Sequence, residues 1–391
     1  MKPNQSGRLL PVAAAGVLLV SGLVVVLLQQ PPADSRHAPA AAGDAVATRS
    51  PREESTWASP ADAAALDRRI ASRVRADWAS LLAAAGSGAE TPETWKSRLH
   101  TLRDEWLDLD PTALATTIGE LLAGNLDASL PLPFEVGPGG TLVSWPTLRV
   151  FLLDVLASSD PESAAAIART ILADTDSAEE FAVALRPLAR NKISRASDAE
   201  LLGHLDTLLA RRDWHDQGRP GALEALDLAA SIGTLQAAER LANWLEGDPP
   251  TAAAGWMAIH EAAARDPAPV IDALNNQGRL ADQPRHRAQL LARADPADPE
   301  QMASIGDYLS NPSTTAEEIA EFTSLFPFRS ATVGYRLYTS GDSPYSRQAI
   351  LDADRQALGQ VESWLSTVPA DRQPALLSLR DRLAGAAATP R

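Results

Sequence analysis

Asp-Pro dipeptides begin at Asp110, Asp160, Asp248, Asp266, Asp295 and Asp298, with Ser59-Pro60 and Asn311-Pro312 as variants, and they cut this 391-residue chain into helix-length pieces. The pairing has a physical meaning. The carboxylate, hydroxyl or amide caps the exposed N–H groups of a first helical turn, while proline at the next position loses no hydrogen bond there and already has a helical φ.

Between these marks the apolar residues keep a helical period. Leu66, Ile70, Val74, Trp78, Leu81 and Leu82 form one stripe, and Trp95, Leu99, Leu102, Trp106 and Leu109 a second. Leu201, Leu202, Leu205, Leu208 and Leu209 form a third, and Leu351, Leu358, Val361, Leu365 and Val368 a later one. Sustained strand-like alternation is nearly absent. The stretch Leu148 to Leu156 is apolar almost all round, so it predicts the most buried helix. The fold class is therefore all-α. Three stretches align around the punctuation, WLDLDPTALA from Trp106, LASSDPESAA from Leu156 and WLEGDPPTAA from Trp244, and their capping aspartates stand 50 and 88 residues apart. A degenerate period near 44 to 50 residues fits these separations, and periods of that size mark stacked helix pairs. Over residues 95–310 the stretches resemble the alanine-rich helical repeats of α-solenoid proteins of the HEAT and TPR type. The resemblance implies stacked helical pairs and a surface that binds other proteins. A compact, non-repetitive helical bundle is the alternative architecture.

Ahead of this region, Leu9 to Leu28 is an unbroken apolar run of 20 residues without a charge. At 1.5 Å per residue it covers ~30 Å, the hydrocarbon thickness of a bilayer. Lys2 and Arg8 precede it, whereas Arg36, offset by Asp34, is alone close behind it. The charge bias predicts a short cytoplasmic stub (1–8), a signal anchor (9–28) and the bulk of the chain outside the bacterial inner membrane. Cleavage as a signal peptide, with Ala38 and Ala40 offering small residues, is the competing reading and would make the protein secreted. Residues 29–59 hold prolines at 31, 32, 39 and 51 among Ala, Ser and Thr, and read as a disordered linker. Residues 60–391 form the helical domain.

The net charge is −15, and lysine occurs only at 2, 96 and 192 among 35 basic residues. The arginine excess fits the coding bias of a GC-rich bacterial genome. An acidic surface repels phosphate backbones, which argues against nucleic-acid binding. Without cysteine there is no disulfide, thiolate ligand or cysteine nucleophile. His260-Glu261 begins like a zinc-hydrolase helix, but Ala264 holds the place of the second histidine. No phosphate-binding or nucleophile-elbow motif is present, and no catalytic residue, metal or cofactor is expected.

Two segments refuse the helical pattern. Residues 129–145 combine prolines and glycines with Leu132, Phe134, Val136 and Leu142, and read as an apolar loop with a short hairpin across Gly139-Gly140. Residues 326–345 gather Phe326, Phe328, Arg329, Tyr335, Tyr338 and Tyr345. Both segments read either as core packing or as partner-gripping surface; in the second reading these ten residues are the binding candidates. The leading functional expectation is a membrane-tethered scaffold for a protein or peptide, with no enzymatic activity. A membrane-anchored folding helper and an all-helical enzyme without a recognisable motif are the alternatives. The chain resembles steric chaperones of lipases only in layout, since Arg329 is followed by Ser-Ala-Thr and not by their Arg-x-x-Phe-Asp-Tyr signature. The topology has a direct check. Ser35→Cys introduces the sole thiol, and an impermeant thiol reagent should label it in intact cells; protection of that thiol would overturn the assigned orientation.

Overall fold

The computed structural model describes residues 60–190, 195–329, 336–339 and 346–388. The expected anchor, Leu9 to Leu28, and the linker that follows it lie outside the described residues, among which no helix is long and apolar enough to cross a membrane.

Helices dominate throughout. The first are α1 (Pro60–Ser87), α2 (Pro92–Leu107) and α3 (Pro111–Ala123), followed by a hairpin of β1 (Glu135–Val136) and β2 (Leu142–Ser144). Next come α4 (Leu148–Ser159), α5 (Pro161–Asp174), α6 (Ala178–Arg190) and α7 (Asp198–Ala210). Three short helices, α8 (Arg212–Asp216), α9 (Pro220–Ala225) and α10 (Asp227–Ile232), lead to α11 (Leu235–Trp244), α12 (Pro249–Arg265) and α13 (Pro267–Asn276). The last are α14 (Pro284–Leu291), α15 (Pro299–Ser310), α16 (Ala316–Leu325), α17 (Arg347–Leu365) and α18 (Gln373–Ala388).

Five Asp-Pro marks start helices. The side chains of Asp110, Asp160, Asp248, Asp266 and Asp298 each accept a backbone N–H from the first turn they precede. Asp160 does double duty, because its own N–H also closes the last turn of α4 on the Leu156 carbonyl. Two marks behave differently. Asp295 turns back on the Ala297 N–H (3.0 Å), and Asn311 on the Ser313 N–H (2.9 Å). Such side-chain-to-backbone turns compete with helix initiation, so α15 waits for Asp298 and α16 starts after Thr315.

The stripes face the core as their spacing predicts, with local exceptions. Ile70, Val74, Trp78 and Leu81 are buried, whereas Leu66, at the same period, is exposed. Residues 148–156 of α4 are buried without a break, including Arg149 and Asp154. Trp106 shows how a polar atom enters such a core: its ring is wholly buried and its Nε1 donates to Asp77 Oδ2 at 3.1 Å. An unmade bond there would cost about 1–3 kcal/mol.

Packing follows chain order. α1 lies on α3, α2 on α4, α3 on α4 and α5, and α4 and α5 on α6. Further on, α10 meets α11 and α12, α11 meets α13, α14 meets α16, and α16 and α17 meet α18. Against this order stands one short segment, residues 336–339, whose partners lie 111 to 156 positions earlier.

The cap at Asp160 generates a prediction. Its carboxylate is held below the usual range: burial opposes ionisation, but hydrogen bonds from Ser163 and Glu162 outweigh it. Asp160→Ala should lower the unfolding free energy by about 1 kcal/mol at neutral pH, measured by urea denaturation. The difference from wild type should disappear as acid protonates the carboxylate, because a depressed pKa stabilises only above the unfolded-state value.

Candidate functional site

The two irregular segments meet each other. In the first, β1 and β2 pair antiparallel, and the Gly137 N–H donates to the Thr141 carbonyl at 2.7 Å. Gly139 and Gly140 turn the chain with φ of 68° and 72°. At Gly140 the absence of a side chain is also a fitting requirement, since a Cβ would lie 2.7 Å from the Leu337 carbonyl oxygen and 2.9 Å from that of Arg336.

Arginines one turn apart on α6 hold this glycine turn. Arg186 donates to the Gly140 carbonyl (3.1 Å) and Arg190 to that of Gly139. Arg186 also donates to the Asp154 carbonyl (3.0 Å) and pairs with the Asp154 carboxylate at 2.6 Å. The other oxygen of that wholly buried carboxylate accepts from Trp145 Nε1 at 3.0 Å. The Arg190 guanidinium is shifted below its ordinary value, first by burial and then by the charge of Arg186.

On the far side of the turn lies the second segment. The Asp227 carboxylate, at the start of α10 and 1% exposed, accepts the Tyr338 N–H at 2.7 Å and the Thr339 N–H at 2.8 Å. It also accepts the Thr339 hydroxyl at 2.8 Å. Glu224 of α9 is hydrogen-bonded to the backbone of Arg336. Tyr338 Oη donates to the Ala182 carbonyl of α6 at 2.9 Å, and Leu337 is wholly buried. Burial pushes the Asp227 carboxyl up to about 6 against these hydrogen bonds. On α12, Glu261 is pushed up to about 7 by burial and by Asp227, opposed by Arg336, Arg265 and Arg293. The result is a buried seam of carboxylates and guanidinium groups closed by residues 336–339.

The binding candidates from the sequence occupy three settings. Leu132, Phe134 and Leu142 are buried and Val136 is half-buried, with β2 packed on α2 through Arg103 to the Leu142 carbonyl (3.3 Å) and His100 to that of Val143 (3.0 Å). Phe326 is wholly buried among Phe322 and Trp364. Phe328 stacks under the Arg293 guanidinium at 4.1 Å, and Arg329 donates to the carbonyls of Arg293 (2.8 Å) and Ala294 (3.0 Å). Tyr338 reaches the seam, while Tyr335 and Tyr345 lie outside the described residues. The sequence did not single out Asp227, Glu224 or Arg186, and it met Glu261 only beside His260 in an incomplete zinc-hydrolase pattern. A signal existed: Arg186 stands inside FAVALRPL and Asp227 inside EALDLAAS, and a charge within an apolar run is a buried charge that needs a partner.

A second cluster sits around α12 and α14. His260 Nε2 and His286 Nδ1 are 3.0 Å apart, and His286 stacks parallel on Trp256 at 3.9 Å. Burial pushes His260 down to about 3 and His286 to about 4, so the pair is neutral at physiological pH, with one nitrogen donating and the other accepting. Among the described residues no group of three or more His, Asp or Glu is placed to hold a metal. Two surface clefts flank α12. One, about 270 Å³, is bordered by His215 and Trp244; the other, about 210 Å³, by Leu245 and Trp256.

No family model, curated protein or solved structure matches this chain.

The seam carries a pH signature. Asp227 and Glu261 hold their protons to higher pH in the folded protein than in the unfolded chain, so ionising them costs stability. Their joint contribution should be largest below pH 4, decline as pH rises through about 6 and about 7, and level off only about a unit above the latter. Urea unfolding of wild type and of Asp227→Asn/Glu261→Gln across that range checks it. A wild-type minus variant difference that grows with pH would contradict it.

Proposed function

We propose that this protein is a membrane-tethered helical scaffold that binds another protein or peptide and performs no chemistry itself. One observation carries the reading. Residues 336–339 contact α6, α9 and α10, and two carboxylates bond their main-chain N–H groups. A helical array that already grips one peptide segment through its backbone has the means to grip others.

The order of packing supports an α-solenoid-like arrangement of the helices. The helices rest on others one to four places away in sequence, a local order of the kind expected of stacked helical pairs. The apolar run Leu9 to Leu28 would tether the array, with residues 29–59 as its leash. The buried carboxylates of Asp227 and Glu261, with their raised pKa values, favour an enzymatic reading as the alternative. Against it, Tyr338 and Thr339 cover Asp227 and leave no approach for a substrate while they stay in place.

The scaffold reading is tested by placing a photoreactive phenylalanine analogue at Leu66, Leu126 or Met257, all exposed, in the full-length chain. Crosslinking in native membranes should yield one dominant protein joined at one defined segment, and the purified pair should reproduce it. Absence of any protein product from all three positions would overturn the scaffold reading.

A further inference from the structure

The geometry points to a peptide-binding site at Asp227 that residues 336–339 occupy as an internal ligand. Its external ligand is a segment of a partner that can take the same bend and carries an apolar residue, a tyrosine and a threonine or serine in succession. This rests on the scaffold reading and gives that reading a location and a ligand class.

Three observations carry it. First, the seat recognises main chain: Asp227 Oδ2 takes the N–H groups of two consecutive residues in a bend, and Glu224 bonds the backbone of Arg336, an arrangement open to any peptide that can take the same bend. Second, the seat has selective positions. Leu337 is wholly buried, the Tyr338 hydroxyl finds the Ala182 carbonyl, and the Thr339 hydroxyl finds Asp227. Third, Gly140 is notched to admit the strap, because a Cβ there would collide with the carbonyls of Arg336 and Leu337. The notch belongs to the hairpin and the carboxylates to α9 and α10, so separate elements converge on one short strand of chain.

A purely structural plug would not call for this chemistry. Burying carboxylates is costly, and apolar residues of the same volume generally fill a core at least as well. The strap also lies in the long connection between Leu325 of α16 and Arg347 of α17, where it is tied to elements remote in sequence. A tethered strap competes at an effective concentration on the order of millimolar, so wild type should bind the external peptide weakly.

The test uses the full-length chain in detergent and a fluorescein-labelled peptide of sequence Arg-Leu-Tyr-Thr, read by anisotropy. Tyr338→Phe/Thr339→Val deletes two side-chain hydrogen bonds from the strap and leaves the seat intact. This variant should bind the peptide at least about tenfold tighter than wild type. A peptide N-methylated at the tyrosine and threonine amides, which lacks the two N–H groups that Asp227 accepts, should not bind either form. Equal binding of the methylated peptide, or no binding to a variant with wild-type circular dichroism and melting, would overturn the proposal. Hydrogen exchange on wild type needs no variant. The Tyr338 and Thr339 amides should exchange faster than those of Leu153 and Val155 in the core of α4; exchange only through global unfolding would show a fixed plug. Failure of the peptide while crosslinking still finds a partner refutes this seat alone, and failure of both refutes the scaffold.

Discussion

A buried carboxylate ties together parts of the chain more than a hundred residues apart. Asp227 receives the N–H groups of Tyr338 and Thr339 and the Thr339 hydroxyl, linking α10 to a segment more than a hundred residues later. Elsewhere the helices rest on near neighbours in sequence. Packing of that kind lets each helix be stabilised by the others it touches. The Asp227 contact is of another kind, because it closes a long loop whose entropy local packing never had to overcome. Charge-assisted hydrogen bonds are among the few short-range interactions strong enough for the task.

The same seam explains why the interior of an alanine- and leucine-rich body contains arginines. Arg186 spans the glycine turn and the Asp154 carboxylate, and Asp154 in turn orients Trp145. Removing one member would strand the others in a medium that solvates charge poorly, so these residues stand or fall together. Outside the seam, the ion pairs Arg169–Glu200 and Arg240–Asp206 join α5 to α7 and α11 to α7 near the surface, where each contributes little.

Local features of the fold were legible in the sequence. Asp-Pro at 110, 160, 248, 266 and 298 starts helices because both halves of the signal act within one turn. The buried run from Leu148 to Leu156 was readable from composition alone. Asp295 and Asn311 misled for an equally local reason, since a short polar side chain can satisfy the backbone two residues on without a helix. The seam was legible only in its parts. Both irregular segments stood out, but nothing within either names Asp227, Glu224 or Arg186, and their meeting depends on contacts that no periodicity encodes. Tyr338 was noticed as an aromatic, whereas its role here comes equally from its backbone N–H, which carries no sequence signal.

The spacing between Asp227 and Thr339 also sets a clock. The two are 112 residues apart, and at a synthesis rate of 5–20 residues per second the second follows the first by on the order of 10 s. During that interval Asp227 lacks the Tyr338 and Thr339 N–H groups that it accepts in the finished fold, and the helices made before the strap can depend only on contacts with one another.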